Sequence, residues 1–68
     1  MIQFANNLKN LRTEREMTQA DLAQALSTTE KTISHWETGY SEPSISQLVT
    51  IADYFDVSLD ELVGRDFN

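Results

Sequence analysis

Between Ser27 and Gly39 the chain places Glu30, Lys31, Thr32, Ser34 and His35 in one short segment around two apolar residues, Ile33 and Trp36. The set combines an acceptor-only carboxylate, a donor-only ammonium, two hydroxyls that do both, and an imidazole. Such a set can read the hydrogen-bonding edges of another molecule, and it equally suits any solvated helix face. Catalysis has much less to work with. His35 is the only histidine and there is no cysteine, so neither a multi-histidine nor a thiolate metal site can be built. The sequence has no glycine-rich phosphate loop, no metal-ligand cluster and no nucleophile–base pairing, and a 68-residue chain has little room for a pocket. No enzyme activity, metal or cofactor is expected.

The elements that must hold this segment are marked by caps and periodicity. Phe4, Leu8, Leu11 and Arg15 recur at helical spacing and predict a first helix over about 4–16. Thr18 and Asp21 form a capping-box variant at the start of a second, two-turn helix ending near Leu26, with Met17 and Leu22 as its hydrophobic staple. Ser27, Thr28 and Thr29 all offer cap oxygens for a third helix, over about 29–38, which stops at Gly39. Ser44 with Gln47 opens a fourth helix, and Ser58 with Glu61 a short fifth one closed by Gly64. The inward positions are Leu8, Leu22, Ala23, Leu26, Ile33, Trp36, Leu48, Ile51, Phe55 and Leu62. Hydrophobic residues are 40% of the chain, with only two glycines and one proline, which suits helices rather than many β-turns. The expected architecture is all-α, a single compact five-helix domain spanning 1–68. No run approaches the ~20 apolar residues of a membrane span, and the lack of cysteine suits a reducing, cytoplasmic setting.

The stretch from Met17 to Gly39 is more specific than its outline. Thr18, Gln19, Leu22, Ala23, Leu26, Thr29, Thr32, Ile33, Ser34, Trp36, Glu37 and Gly39 match, in order and spacing, the Cro/phage-repressor type of helix-turn-helix domain, often called the XRE family. The resemblance continues through Glu42–Pro43–Ser44 and from Val57 to Leu62, so it covers nearly the whole chain. It implies a lambda-repressor-like fold in which helices two and three form the helix-turn-helix. It also implies a sequence-specific DNA-binding transcriptional regulator, a repressor, bound to a near-palindromic operator as a homodimer. One position departs from the pattern: the family usually has glycine where this chain has Ser27. A non-glycine residue in left-handed geometry costs about 1–2 kcal/mol, so either the turn carries that strain or its geometry differs.

By the same resemblance, helix three lies in the major groove of double-stranded DNA and Glu30, Lys31, Thr32, Ser34 and His35 face base edges. Lys31 suits guanine O6/N7, Glu30 suits cytosine N4, and Thr32 suits a thymine methyl. Gln19 corresponds to a residue that bonds a phosphate and braces the recognition helix; Thr29, Tyr40 and Ser41 are further phosphate candidates. Arg12 and Glu37 occupy positions that form a salt bridge in the family, a structural role for Arg12 that competes with contact to a neighbouring phosphate. Leu59, Val63 and Phe67 are apolar residues left for a dimer interface. A competing reading is a helix-turn-helix module for protein contact, such as an antitoxin or an anti-repressor partner.

The formal charge of −6, from 5 Lys+Arg against 11 Asp+Glu, argues against nucleic acid when taken whole. It is unevenly spread: residues 1–35 are neutral overall, and residues 36–68 carry the entire −6. The expectation is a neutral reading face with an acidic back, and weak nonspecific binding to DNA.

Overall fold

The computed structural model describes residues 3–64. They form five helices: α1 (Phe4–Glu14), α2 (Gln19–Ala25), α3 (Glu30–Thr38), α4 (Ile45–Phe55) and α5 (Leu59–Val63). A side-chain cap sets the start of every helix but α1. Full capping boxes open α2 (Thr18 with Asp21), α4 (Ser44 with Gln47) and α5 (Ser58 with Glu61). In the first of these, the Asp21 carboxylate accepts from the Thr18 backbone N–H at 2.9 Å, and that bond holds its pKa below the ordinary carboxylate value. Of the three cap candidates before α3, Thr29 is the one used; its hydroxyl accepts from the Thr32 N–H at 3.2 Å.

The helix ends share one device, the Schellman turn. Met17 N–H donates to Arg12 C=O, Thr28 N–H to Ala23 C=O, Tyr40 N–H to His35 C=O and Val57 N–H to Ala52 C=O, at 2.8–3.1 Å. The left-handed residues of these turns are Glu16, Ser27, Gly39 and Asp56, with φ of 56°, 56°, 78° and 57°. This corrects the expected first helix: it stops at Glu14 because Glu16 reverses the chain, and Arg15 leaves the apolar stripe. It also answers the question raised at Ser27, where the turn keeps left-handed geometry without glycine. Ser27→Gly relieves about 1–2 kcal/mol of strain against about 0.5–1 kcal/mol of extra glycine entropy. The expected net gain is about 0.5–1 kcal/mol, a rise of about 2–8 °C in Tm. Calorimetry checks it, and an unchanged or lower Tm would show an unstrained turn.

The core gathers Phe4, Leu8, Leu22, Ala23, Ile33, Trp36, Ile51, Ala52, Phe55 and Leu62, with Leu11, Met17, Leu26, Leu48 and Val57 partly buried around them. Leu26 and Leu48, expected inside, are thus half-buried at its margin. Phe4 meets Trp36 edge-on, with ring centroids 6.4 Å apart. The first turn of α1 is sewn to the end of α5: Gln3 N–H donates to Val63 C=O at 2.7 Å and Asn7 Nδ2 donates to Leu62 C=O at 3.1 Å. Among the described residues no helix is long and apolar enough to cross a membrane, and no group of acidic, histidine or cysteine side chains is gathered to hold a metal.

Candidate nucleic-acid interface

Helix α3 buries one side and shows the other. Ile33 and Trp36 are in the core, and Glu37 is turned inward beside them. Lys31, Ser34, His35 and Thr38, at i, i+3, i+4 and i+7, therefore share the opposite face. Glu30 and Thr32 flank it. Glu30, Lys31 and Thr38 are exposed, whereas Thr32, Ser34 and His35 are half-buried. Thr38 was missed from sequence, although its spacing of seven from Lys31 was the available signal.

Two of the expected reading residues are less free than their types suggest. The Thr32 hydroxyl lies 2.9 Å from that of Thr29, so it belongs to the cap and leaves the methyl group as its distinctive offering. The His35 ring lies against Tyr40, with centroids 4.6 Å apart, and the His35 carbonyl accepts from the N–H groups of Tyr40 and Ser41. The loop after α3 is thereby tied to its last turn. Tyr40 itself is 79% exposed, which places an aromatic ring and a hydroxyl in solvent beside the reading face.

A hydrogen-bonded clasp fixes α3 against α1 and α2. Arg12 Nε donates to Glu37 Oε2 at 2.7 Å and Arg12 Nη2 to Glu37 Oε1 at 3.0 Å, a bidentate pair. Arg12 Nη1 donates to the Met17 carbonyl at 2.7 Å, and Gln19 Nε2 donates to Glu37 Oε1 at 3.2 Å. The side chains of Arg12 and Glu37 are only 11% and 3% exposed. The bond to Glu37 raises the Arg12 pKa above the usual guanidinium value. Three of Arg12's N–H donors are thus engaged within the protein, so the phosphate contact considered for Arg12 lacks the exposed charge it needs. Gln19 differs, because its Nε2 carries a second hydrogen that the clasp does not use.

Arg15 also bridges distant segments, although it stays exposed. Its Nη2 and Nη1 donate to the carbonyls of Phe55 and Tyr54 at 3.0 and 3.4 Å, and its guanidinium sits 5.0 Å from the Phe55 ring centroid. A cation there complements the negative end of α4. Of the residues assigned to a dimer face, Leu59 is 43% exposed. Val63 is half-buried in a shallow cleft with Phe4, Pro43 and Leu48. Phe67 lies outside the described residues.

A family model described as helix-turn-helix matches residues 8–62, which includes every element of this arrangement except the first turn of α1 and the last residue of α5. The chain belongs to the helix-turn-helix family. It is 37% identical over 65 residues, 96% of its length, to the HTH-type transcriptional activator BcrR of Enterococcus faecalis, and covers 32% of that protein. A transcriptional regulator from Listeria innocua superposes with a TM-score of 0.92 at 34% identity, over all of this chain and 64% of that one. The P22 c2 repressor, in its complex with a synthetic operator, shares the fold with a TM-score of 0.84 at 24% identity, over 93% of this chain and 96% of that one. The Cryptic phage CTXphi transcriptional repressor RstR of Vibrio cholerae, at 33% identity, is covered over 57% of its length. The chain thus spans about a third of BcrR and just over half of RstR.

Proposed function

We propose that this helix-turn-helix chain is the DNA-reading domain of a transcriptional regulator, acting as a repressor. Helix α3 enters the major groove, and two copies bind a near-palindromic operator with their reading helices about 34 Å apart. The observation that carries this reading is the solvent face of α3, with Lys31, Ser34, His35 and Thr38 presented together while Ile33, Trp36 and the Arg12–Glu37 pair anchor the other side. Glu30, Lys31, Thr32, Ser34 and His35 are the base-reading set; Gln19, Thr29, Tyr40 and Ser41 meet phosphates; Leu59 and Val63 contribute to the contact between copies. An activator and a repressor among the relatives support regulation in general, and the repressor role is the narrower part of the proposal.

Selecting duplexes from a random pool and measuring fluorescence anisotropy tests it. Recovery of a two-fold symmetric site is expected. Lys31→Ala should weaken binding to that site about tenfold or more, as loss of a base contact worth 1–3 kcal/mol requires. Unchanged affinity for Lys31→Ala would mean that α3 does not read the site. The protein-contact reading draws on the exposed Ile45 (79%) and on the acidic second half of the chain. Indifference to every duplex at low salt would favour it.

A further inference from the structure

The sequence supplies 5 Lys+Arg, and the fold withdraws one of them, Arg12, which is paired with Glu37 and almost covered. Arg15 donates to the end carbonyls of α4 yet stays exposed. Among the described residues Lys9, Arg15 and Lys31 are exposed cations, and only Lys31 lies on the reading helix, next to Glu30. The groups around the reading face are neutral instead: the spare Gln19 amide hydrogen and the hydroxyls of Tyr40 and Ser41, while the Thr38 hydroxyl donates to the His35 carbonyl at 3.2 Å. A regulator that holds phosphates chiefly with lysine and arginine displaces a condensed counterion for each one, and its affinity then falls steeply with salt.

We infer that this domain grips the phosphates of its duplex chiefly through neutral hydrogen-bond donors, so that its operator binding is salt-tolerant. The inference rests on the DNA-reading proposal and adds the chemistry of the grip. Each phosphate neutralised by a cation contributes about −0.9 to the slope of log K against log[salt]. With only Arg12 withdrawn into the fold, four of the five Lys+Arg side chains remain to be counted, which sets a limit of about −3.6 per bound domain. Proteins making 6–10 charged phosphate contacts lose about 10³–10⁵ in affinity between 50 and 200 mM salt. Here the loss per bound domain is at most about 150-fold over that range, and about 4-fold where Lys31 acts alone.

The same neutral grip separates two kinds of substitution. Lys31→Gln lowers affinity and also flattens the slope by about 0.9 per domain. Tyr40→Phe, which keeps the ring against His35 and removes only an exposed hydroxyl, lowers affinity at every salt concentration with the slope unchanged. Gln19→Ala does the same and is read beside its melting curve, because Gln19 also touches Glu37.

The experiment titrates the chain with a duplex selected by this protein from a random pool, from 50 to 400 mM potassium chloride, with stoichiometry from sedimentation. A slope at or shallower than about −3.6 per bound domain, with parallel salt plots for Tyr40→Phe displaced to lower affinity, is expected. A steeper slope, or Tyr40→Phe and Gln19→Ala both binding like the wild type, overturns the neutral grip while leaving the DNA-reading proposal standing. Failure to bind any duplex at 50 mM salt overturns that proposal and this inference together.

Discussion

Glu37→Ala should leave the domain largely unfolded at 25 °C. The substitution removes the partner of a guanidinium that is only 11% exposed and already lies among Met17, Gln19 and the inner face of α3. Stranding one member of a buried ion pair costs about 3–5 kcal/mol, because the remaining charge cannot recover its lost water. A helical domain of this size holds about 3–5 kcal/mol in all. The loss therefore matches the whole stability and amounts to a fall of a hundredfold or more in the folding equilibrium constant. Urea melts followed by circular dichroism check this.

The paired variant separates a stranded charge from a lost attraction. Arg12→Met with Glu37→Leu removes both charges and keeps apolar volume between α1 and α3. Replacing a whole buried pair in this way is often neutral or stabilising. The double variant should accordingly be at least about 2 kcal/mol more stable than Glu37→Ala. If Glu37→Ala costs less than about 1 kcal/mol, the value of a solvent-exposed pair, the clasp is only a surface bridge.

Most of the fold was legible because its signals are local. A capping box spans four residues, and each of those at Thr18, Ser44 and Ser58 starts a helix at the residue it marks. The helix ends were read less well. Glycine announces a left-handed turn at Gly39 and the family pattern points to one at Ser27, but Glu16 and Asp56 adopt the same geometry at positions that pattern does not mark. Those turns are imposed by packing on both sides, so the end of α1 could not be placed to the residue.

The candidate site divides along the same line. Spacing on a single helix identifies which α3 residues lie opposite Ile33 and Trp36, and by that rule Thr38 was also available. What spacing cannot give is contact between distant segments. Nothing local indicates that Arg15 will cap α4, forty residues away along the chain, or that the His35 ring will lie against Tyr40. The charge pattern was partly misleading for this reason. Glu37 counts as an acid in sequence, yet it is buried and matched by Arg12, and the cations near the helix-turn-helix are fewer than the composition of that half suggests.

Trp36→Ala should abolish cooperative folding. The ring is 4% exposed, meets Phe4 of α1 edge-on, and borders both the turn at Ser27–Thr28 and the loop from Gly39 to Glu42. Truncating a buried tryptophan costs about 3–5 kcal/mol, since the lost transfer energy is joined by the cavity left behind. Neighbouring side chains cannot close that cavity without moving α3 itself. Trp36→Phe keeps an aromatic edge for Phe4 and empties less volume, so it should melt cooperatively at a lower temperature. The pair of variants also bears on DNA reading. Ile33 and Trp36 are the residues that seat α3 in the core, and a shift of about 1 Å is enough to spoil a hydrogen bond to a base edge, whose donor–acceptor distances span only 2.7–3.2 Å. Trp36→Phe should therefore lose more affinity for the selected operator than for nonspecific duplex, although no atom of Trp36 is offered to DNA. Equal losses on both duplexes would mean that the aim of α3 is set by the Arg12–Glu37–Gln19 clasp and not by its hydrophobic seat.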